Sequence, residues 1–192
     1  MSIRYRNPFF GALLLLSFSS LSAQTIRSSR LARSEWVDSV FNSLTPAQRI
    51  AQLMVIRAHS NLGPDHVAKV MNDIQSYNVG GLCFFQGGPI RQALLTNQYQ
   101  QTAQTPLMVT IDGEWGVGMR LDSVRKYPYQ LTLGAMSNEK LVYRMGLAVG
   151  QQCKRIGIQV NYAPVADVNN NPNNPVIGFR SFGEDKDKVS RF

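Results

Sequence analysis

The apolar positions of the chain follow two alternating spacings. Short, almost continuous apolar runs, typical of buried strands, alternate with longer segments whose apolar residues recur every three or four positions, as on one face of a helix. The four predicted strands are Leu53–Arg57, Val79–Phe85, Leu107–Ile111 and Ile158–Val165. The predicted helices between them are Asp65–Tyr77, Ile90–Gln101 and a longer segment that Ser137 caps and that runs through Cys153. Apolar strands that alternate with helices predict a parallel sheet covered by helices, which is an α/β fold.

Two α/β architectures fit this alternation, a doubly wound sheet and an eight-fold (β/α) barrel. In both, ligands bind at the carboxyl ends of the strands. The loops that follow three of the four predicted strands are rich in glycine, asparagine and acidic residues, and they begin after Phe85, at Asp112 and at Asp167. The sequence therefore predicts a polar site at that end of the sheet.

The first 23 residues have the pattern of a secretory signal peptide. Arg4 and Arg6 form a basic start, Phe9–Leu16 is mostly apolar, and small residues precede a cut before Gln24. The apolar run is shorter than the roughly 20 residues that a membrane-spanning helix needs. We therefore expect export to the periplasm or the extracellular space, with no stable membrane anchor.

Residues 24–43 are predicted to form a polar lead-in and a short amphipathic helix. The residues expected to face inward from that helix are Trp36, Val37, Val40 and Phe41. Thr45 and Gln48 then form a capping-box pattern, with Pro46 at the first helical position. The main domain is assigned to residues 44–192.

Composition and charge exclude several classes of protein. The 192 residues are 44% apolar and 17% charged, which is a globular composition. The net charge of +8 falls to +6 when Arg4 and Arg6 leave with the signal peptide, and the remaining cations are scattered. Without a basic stripe and interleaved aromatic residues, no nucleic-acid partner is expected. A basic surface is compatible with affinity for anionic cell-envelope polymers.

The cysteines and histidines do not predict a metal or thiol centre. Cys83 and Cys153 lie in apolar segments and are predicted to be buried free thiols. The two histidines, His59 and His66, have no spacing that predicts a ligand cluster. We therefore expect no metal and no organic cofactor.

The first candidate site is the stretch IDGEWGVGMRL, from Ile111 to Leu121. Asp112 directly follows a strand, so its carboxylate can accept hydrogen bonds from ligand hydroxyls at the mouth of the fold. Arg120 can fold back across the glycine-rich loop toward the same ligand, and Trp115 offers a flat apolar face for a sugar ring. The alternative is a capped turn in which Asp112 or Glu114 pairs with Arg120.

The second candidate site begins at Asp167, which ends the fourth predicted strand. An Asn/Pro-rich loop follows, and Arg180 can reach inward from it. Gly183-Glu184-Asp185 is then predicted to cap the next helix. The alternative is a structural loop whose asparagines hydrogen-bond their own backbone.

Four stretches in this order and spacing resemble the N-terminal domain of glycoside hydrolase family 3, especially its β-N-acetylglucosaminidase (β-N-acetylhexosaminidase) branch. These stretches are IDGEWGVGMRL, YPYQLTLGA, GIQVNYAPVADVN and NPVIGFRSFGED. The resemblance implies a TIM-like (β/α) barrel and a carbohydrate substrate. It implies substrate-binding roles for Asp112, Arg120 and Arg180, and structural roles for Glu114 and Asp167. Two positions depart from the family pattern: Trp115 replaces a glycine and Gly118 replaces a polar residue.

The same resemblance implies that no catalytic group lies in these 192 residues. The family's aspartate nucleophile and its acid/base histidine, which lies in a Lys-His-Phe-Pro-Gly-His-Gly motif, are expected beyond Phe192. Only four strands are predicted, whereas such barrels have eight strands and typically about 250 residues. We therefore expect about the first half of a barrel, which alone has no turnover.

Three alternative functions remain at this point. A β-glucosidase or β-xylosidase of the same family would generally carry a Pro-Arg-Trp-Gly-Arg type of loop in place of NPVIGFRSFGED. A non-catalytic carbohydrate-binding relative would keep the same sugar-binding residues. A serine hydrolase is suggested by Ser137 and Lys140, in a Ser-x-x-Lys pattern, but no Ser-Asp-Asn or Lys-Thr-Gly motif follows.

Overall fold

The structure is a computed structural model that describes residues 30–192, with side chains from Glu35. The chain divides into two compact units, residues 1–37 and residues 38–192. Of the first unit, only residues 30–37 are described, and they form the start of a helix. The predicted signal peptide and residues 24–29 lie outside the described residues.

Seven helices and four strands are assigned within the described residues. The helices are α1 (Arg30–Ser43), α2 (Pro46–Ala51), α3 (Pro64–Tyr77), α4 (Pro89–Thr102), α5 (Gln130–Gly134), α6 (Glu139–Arg155) and α7 (Lys186–Arg191). The strands are β1 (Val55–Ala58), β2 (Gly81–Phe84), β3 (Met108–Ile111) and β4 (Val160–Asn161). Short 3-10 helices cover Val117–Met119 and Gly178–Arg180.

The four strands form one parallel sheet in the order β1-β2-β3-β4. Each strand is therefore added next to the strand that precedes it in the chain. A doubly wound sheet reverses its strand order at a switch point, and no reversal occurs among these four strands. The order thus favours the barrel over the doubly wound sheet.

The main core lies between the sheet and helices α3, α4 and α6. Its strand residues include Leu82, Phe84, Val109 and Ile111, all fully buried. Its helix residues include Val70, Ile74, Tyr99, Val149 and Cys153. Burying each large apolar side chain contributes roughly 1.5–3 kcal/mol, so this layer fixes the positions of the strand ends.

A smaller apolar cluster lies beside the main core and joins α5, α6 and α7. It consists of Leu133, Val142, Phe182 and Val189. Phe182 belongs to the loop that carries Arg180. This cluster therefore anchors the second candidate loop to the helical layer.

Most of the predicted elements are confirmed, with shifts of one or two residues at their ends. The fourth strand is shorter than predicted, because β4 covers only Val160–Asn161. The backbone amide of Tyr162 still donates a hydrogen bond to the carbonyl oxygen of Ile111. The chain then turns, and the amide of Ala163 donates to the carbonyl oxygen of Asn161. Pro164 has no N–H to continue the ladder.

Two predictions about helices are wrong. Asn138, not Ser137, is the N-cap of α6, because its side chain accepts the amide of Lys140 at 3.2 Å. Three of the four residues predicted to face inward from α1 are exposed: the exposed fraction is 56% at Trp36, 53% at Val37 and 52% at Phe41, whereas Val40 is partly buried. The guanidinium of Arg49 lies 3.9 Å from the Phe41 ring centroid, so this ring packs against a cation instead of the core.

Helix α5 is an element that the sequence pattern did not predict. It has five residues, and three of them, Gln130, Leu133 and Gly134, are buried. No helix among the described residues is both long enough and apolar enough to cross a membrane.

Candidate functional site

The first candidate loop starts where β3 ends and is tied to the neighbouring strand. The amide of Gly113 donates to the side-chain oxygen of Asn161 at 2.9 Å, and the Asn161 amide nitrogen donates back to the Gly113 carbonyl at 3.2 Å. Gly116 follows with φ of +90°, a conformation that favours glycine, and its amide closes a turn onto Gly113. The loop is therefore rigid at its base, directly beside Asp112.

Arg120 folds back onto the residue that begins this loop. Its Nη2 lies 2.5 Å from Oδ2 of Asp112, and its Nε donates to the Asp112 carbonyl at 2.6 Å. The side chain of Arg120 is 15% exposed and that of Asp112 is 30% exposed. The guanidinium also lies 4.6 Å from the Phe85 ring centroid. This ion pair is the one that the capped-turn alternative predicts, and it leaves Asp112 Oδ1 without a hydrogen bond to a described residue.

Arg180 joins the two candidate loops through Glu114. Its Nε donates to Oε2 at 2.8 Å and its Nη2 to Oε1 at 2.5 Å, a forked arrangement across 66 residues of sequence. The Glu114 side chain is only 5% exposed. These hydrogen bonds, followed by the negative charges of Glu114, Asp112 and Asp167, raise the pKa of Arg180.

The second candidate loop is held by its own backbone and side chains. The Ser181 hydroxyl donates to the Asp167 carbonyl at 2.5 Å, and the Asn169 amide donates to Gly183 at 2.9 Å. The side-chain oxygen of Asn174 accepts hydrogen bonds from the backbone amides of Val176 and Ile177. The asparagines thus satisfy the local backbone, as the structural-loop alternative predicts, while Arg180 still reaches the neighbouring loop.

The ends of all four strands surround one open cavity of about 800 Å³. Its polar lining consists of Arg57, Cys83, Asp112, Glu114, Tyr162, Asp167 and Arg180. Among the three predicted binding residues, Asp112 and Arg180 line this cavity, and Arg120 is attached to it through Asp112. The volume lies within the range of small-ligand sites.

Three aromatic rings pack together beside the Glu114–Arg180 pair. The ring of Trp115 lies edge-on to Tyr129 at a centroid distance of 4.7 Å, and Phe179 lies 4.5 Å from Tyr129. Tyr129 and Phe179 are each about half exposed. The large residue at position 115 therefore packs against the second loop, where the family pattern has glycine.

Several residues of the cavity escaped the sequence analysis. The apolar pattern places Arg57 in the first predicted strand, where only its charge within an otherwise apolar run sets it apart. The partner of Arg180 was also missed, since nothing in the sequence pairs it with Glu114. Asn161, which lies outside the cavity lining but holds the backbone of Gly113, falls within the fourth predicted strand, where its spacing does not distinguish it.

In the part of the chain that the structure describes, the remaining candidate nucleophiles and metal ligands do not form a second centre. Cys83 and Cys153 are free thiols, with Cys153 buried and Cys83 partly buried, and burial raises the pKa of both. Ser137 and Lys140 are exposed on the surface. Within residues 30–192, no three His, Cys, Asp or Glu side chains are grouped so that they could hold a metal ion.

His59 and His66 lie close together beside the cavity. The backbone amide of His59 donates to Nε2 of His66 at 3.0 Å, and the His59 ring stacks on Phe85 at 5.9 Å. Burial is the main cause that lowers the pKa of both imidazoles, and the nearby cation Arg57 lowers it further. A lowered pKa favours the neutral imidazole, and the unprotonated Nε2 of His66 can then accept the His59 amide and order the strand end.

Comparison with known proteins identifies the family to which the chain belongs. Residues 45–192 match the profile described as "Glycosyl hydrolase family 3 N terminal domain". Beta-hexosaminidase A of Pseudoalteromonas piscicida is 31% identical over 131 residues, which cover 62% of this chain and 22% of that protein. Beta-hexosaminidase LpqI of Mycobacterium tuberculosis is 29% identical over 78% of this chain and 38% of its own length.

A solved structure extends the likeness to the fold. The family 3 beta-N-acetylglucosaminidase from Paenibacillus sp. is 34% identical, with a TM-score of 0.67 over 77% of this chain and 29% of that chain. The chain thus spans between about a fifth and two fifths of the lengths of these relatives. The parallel sheet and its helices are part of the TIM-barrel-like α/β fold of this domain, and the chain belongs to glycosyl hydrolase family 3.

Proposed function

We propose that this chain supplies the sugar-binding part of an exo-acting, retaining β-glycosidase that removes terminal N-acetylglucosamine from cell-wall or other glycans. The observation that carries this proposal is that Asp112 and Arg180 face one cavity at the carboxyl ends of the strands, with Arg120 held against Asp112. In this fold, active sites form at that end of the barrel.

The two ion pairs give each binding residue a fixed position before a ligand arrives. Arg120 holds one oxygen of Asp112, so the other oxygen is free to accept a hydrogen bond from a sugar hydroxyl. Arg180 is held by Glu114, and its remaining donors can serve a sugar oxygen. Such prior ordering lowers the entropy cost of binding a flexible, polyhydroxylated ligand.

The choice of N-acetylglucosamine is supported by the relatives. Their names describe beta-hexosaminidases and a beta-N-acetylglucosaminidase. We propose the same activity for the whole protein, with export through residues 1–23 to the periplasm or the extracellular space.

In a retaining mechanism, one carboxylate attacks the sugar and a second group transfers the proton. We propose that the aspartate nucleophile and the acid/base histidine come from outside these 192 residues. Asp112 and Glu114 are each committed to an arginine, which suits them to binding and to support of the loop.

A panel of nitrophenyl β-glycosides tests this proposal on the complete protein. We expect the highest kcat/KM with the N-acetylglucosaminide, and no turnover by the 192-residue chain alone. Faster cleavage of the glucoside or xyloside would reassign the protein to the other branch of the family. Saccharide binding without any turnover would instead identify a non-catalytic carbohydrate-binding protein.

A further inference from the structure

Three aromatic side chains join the two loops that carry the Glu114–Arg180 pair. Trp115 directly follows Glu114, and Phe179 directly precedes Arg180. The ring centroids of Trp115 and Phe179 are 6.4 Å apart. Tyr129 contacts both rings, at 4.7 Å from Trp115 and 4.5 Å from Phe179. Each residue of the ion pair therefore has a member of this aromatic cluster as its neighbour in the chain.

Helix α5 contacts the same two loops beside the aromatic cluster. Its first residue, Gln130, is buried, and the Gln130 side-chain nitrogen donates to the carbonyl oxygen of Glu114 at 2.7 Å. At the other end of α5, Gly134 lies against the backbone of Phe182. Tyr129 is the N-cap residue of this helix. The cluster thus belongs to a set of contacts through which α5 and its N-cap join the two loops.

The loop that carries Arg180 has little regular structure of its own. Between β4 and α7 it forms only one 3-10 turn, Gly178–Arg180. Within residues 35–192, the only hydrogen bonds that the Arg180 side chain donates outside its own loop go to Glu114. The Arg180 side chain is 30% exposed, so water can compete for that pair. The position of Arg180 therefore depends on contacts made by its neighbours as well as on its own ion pair.

Trp115 contacts the Arg180 loop from outside the cavity. None of the three rings, Trp115, Tyr129 and Phe179, lines the cavity at the strand ends, whereas Glu114 and Arg180 do. The flat face that the sequence suggested for a sugar ring is thus turned toward other aromatic rings. Edge-on and tilted aromatic pairs stabilise a structure beyond the area that they bury. The glycine of the family pattern could make no such contact at position 115.

We propose that Trp115 is a positioning residue for sugar binding: its ring, packed with Tyr129 and Phe179, orders the Arg180 loop so that the guanidinium faces the cavity before a ligand arrives. This inference rests on the proposed sugar-binding function. A protein whose binding-competent conformation is only partly populated binds its ligand more weakly by that fraction. Removal of the Trp115 ring lowers the fraction, and the loss of affinity is transmitted through Arg180.

A double-mutant cycle with Arg180 tests this proposal on the complete protein. Calorimetry measures the dissociation constant of N-acetylglucosamine for wild type, Trp115→Ala, Arg180→Gln and the double variant. We expect Trp115→Ala to weaken binding by about 3- to 10-fold, the range that the loss of aromatic contacts allows. In the Arg180→Gln background the same substitution should change the dissociation constant by less than about twofold, because the group that the ring positions is already absent.

Three further variants complete the cycle. Trp115→Phe keeps a ring and should retain the wild-type affinity within about twofold. Phe179→Leu removes a half-exposed ring from the other loop and should repeat the effect of Trp115→Ala, so the test does not depend on the folding of one variant. Tyr77→Ala is the control, since Tyr77 is 60% exposed at the end of α3, and it should leave the dissociation constant unchanged. An equal loss in both Arg180 backgrounds would show that the ring acts independently of Arg180 and would overturn the proposal.

Hydrogen exchange separates this inference from the proposed function, because it needs no sugar. The amides of residues 177–183 should exchange about 3- to 10-fold faster in Trp115→Ala than in wild type, while those of α3 stay unchanged. If wild type binds N-acetylglucosamine and Trp115→Ala changes neither the exchange nor the affinity, the proposed function stands and only this inference is lost. A wild type that binds no N-acetylglucosamine loses the proposed function, and the exchange rates still decide whether Trp115 orders the Arg180 loop.

Discussion

At the scale of single residues, the cavity is organised by two arginine–carboxylate pairs with different exposures. The Glu114 side chain is almost fully buried, whereas Asp112 keeps 30% of its surface exposed toward the cavity. Removing one residue of a buried ion pair is strongly destabilising, because the other residue then keeps an unpaired charge in a region of low dielectric constant. Glu114 is therefore expected to support the site, and Asp112 to contact the ligand.

Glu114→Gln should lower the free energy of unfolding by about 1–3 kcal/mol, because the forked pair with Arg180 is lost and a buried group is left unsatisfied. Urea unfolding measures this change. The control is Asp122→Asn, which breaks an ion pair with Arg91 whose side chains are both more than half exposed. Exposed pairs contribute little, so the control should match wild type. Equal effects of the two variants would contradict the supporting role of Glu114.

The two histidines should make stability depend on pH. Their pKa values are lowered in the folded protein, so below about pH 6.5, the ordinary value, the unfolded chain binds more protons than the folded chain. Their contribution to stability is fully present above about pH 6.5 and is lost progressively as the pH falls below that value and through the lowered pKa values of the folded protein. His66→Gln should reduce this slope in unfolding experiments across that range. An unchanged slope would show that His66 does not contribute.

At the scale of elements, β2 and β3 could be predicted because each is a short apolar run that is mostly buried between other elements. The strands at the two edges of the sheet, β1 and β4, are more exposed and could be recognised from their apolar residues alone. The helix α3 could be predicted because its apolar residues recur on one face. The sequence places the N-cap of α6 one residue early, at Ser137, since Ser137 and Asn138 are both good caps and only the backbone geometry selects between them. Helix α5 was missed because five residues carry too little periodicity.

The contacts between elements were the least predictable part of the site. The pairing of Glu114 with Arg180 spans 66 residues and depends on how two loops leave the sheet. Asp112 and Arg120 could be paired from the sequence, because eight residues with three intervening glycines form one compact loop. Local spacing thus predicts that Asp112 or Glu114 pairs with Arg120, and tertiary packing decides which carboxylate pairs with which arginine.

Helix α5 lies close to the loop that carries Arg180, and a substitution at Gly134 tests this contact. A Cβ atom added to Gly134 would lie 1.7 Å from the carbonyl oxygen of Phe182, so the backbone must move. Gly134→Ala should lower the melting temperature, with an overpacking cost of about 1–3 kcal/mol. Gly146→Ala in α6 is the control: no atom lies within 4 Å of its added Cβ, and replacing a helical glycine should raise stability by roughly 0.5–1 kcal/mol. A neutral Gly134→Ala variant would contradict the close approach.

At the scale of the whole molecule, the sequential strand order brings four loops to one end of a parallel sheet. Arg57, Asp112, Asp167 and Arg180 are far apart in the sequence but line a single cavity because parallel strands end at the same edge. The strand alternation predicts this convergence, and the family motifs point to Asp112, Arg120 and Arg180 as the proposed sugar-binding side chains. The strand order then distinguished the barrel from the doubly wound sheet.

The central claim is that Asp112, Arg120 and Arg180 together bind the sugar. Titration calorimetry of the complete protein with N-acetylglucosamine tests it most directly. The account predicts that Asp112→Asn raises the dissociation constant by about tenfold or more, because a hydrogen bond to a charged group is worth about 1.5–3 kcal/mol. Arg120→Gln and Arg180→Gln should act in the same direction, and Asp122→Asn should leave the value unchanged. Dissociation constants within twofold of wild type for all three site variants would contradict the account.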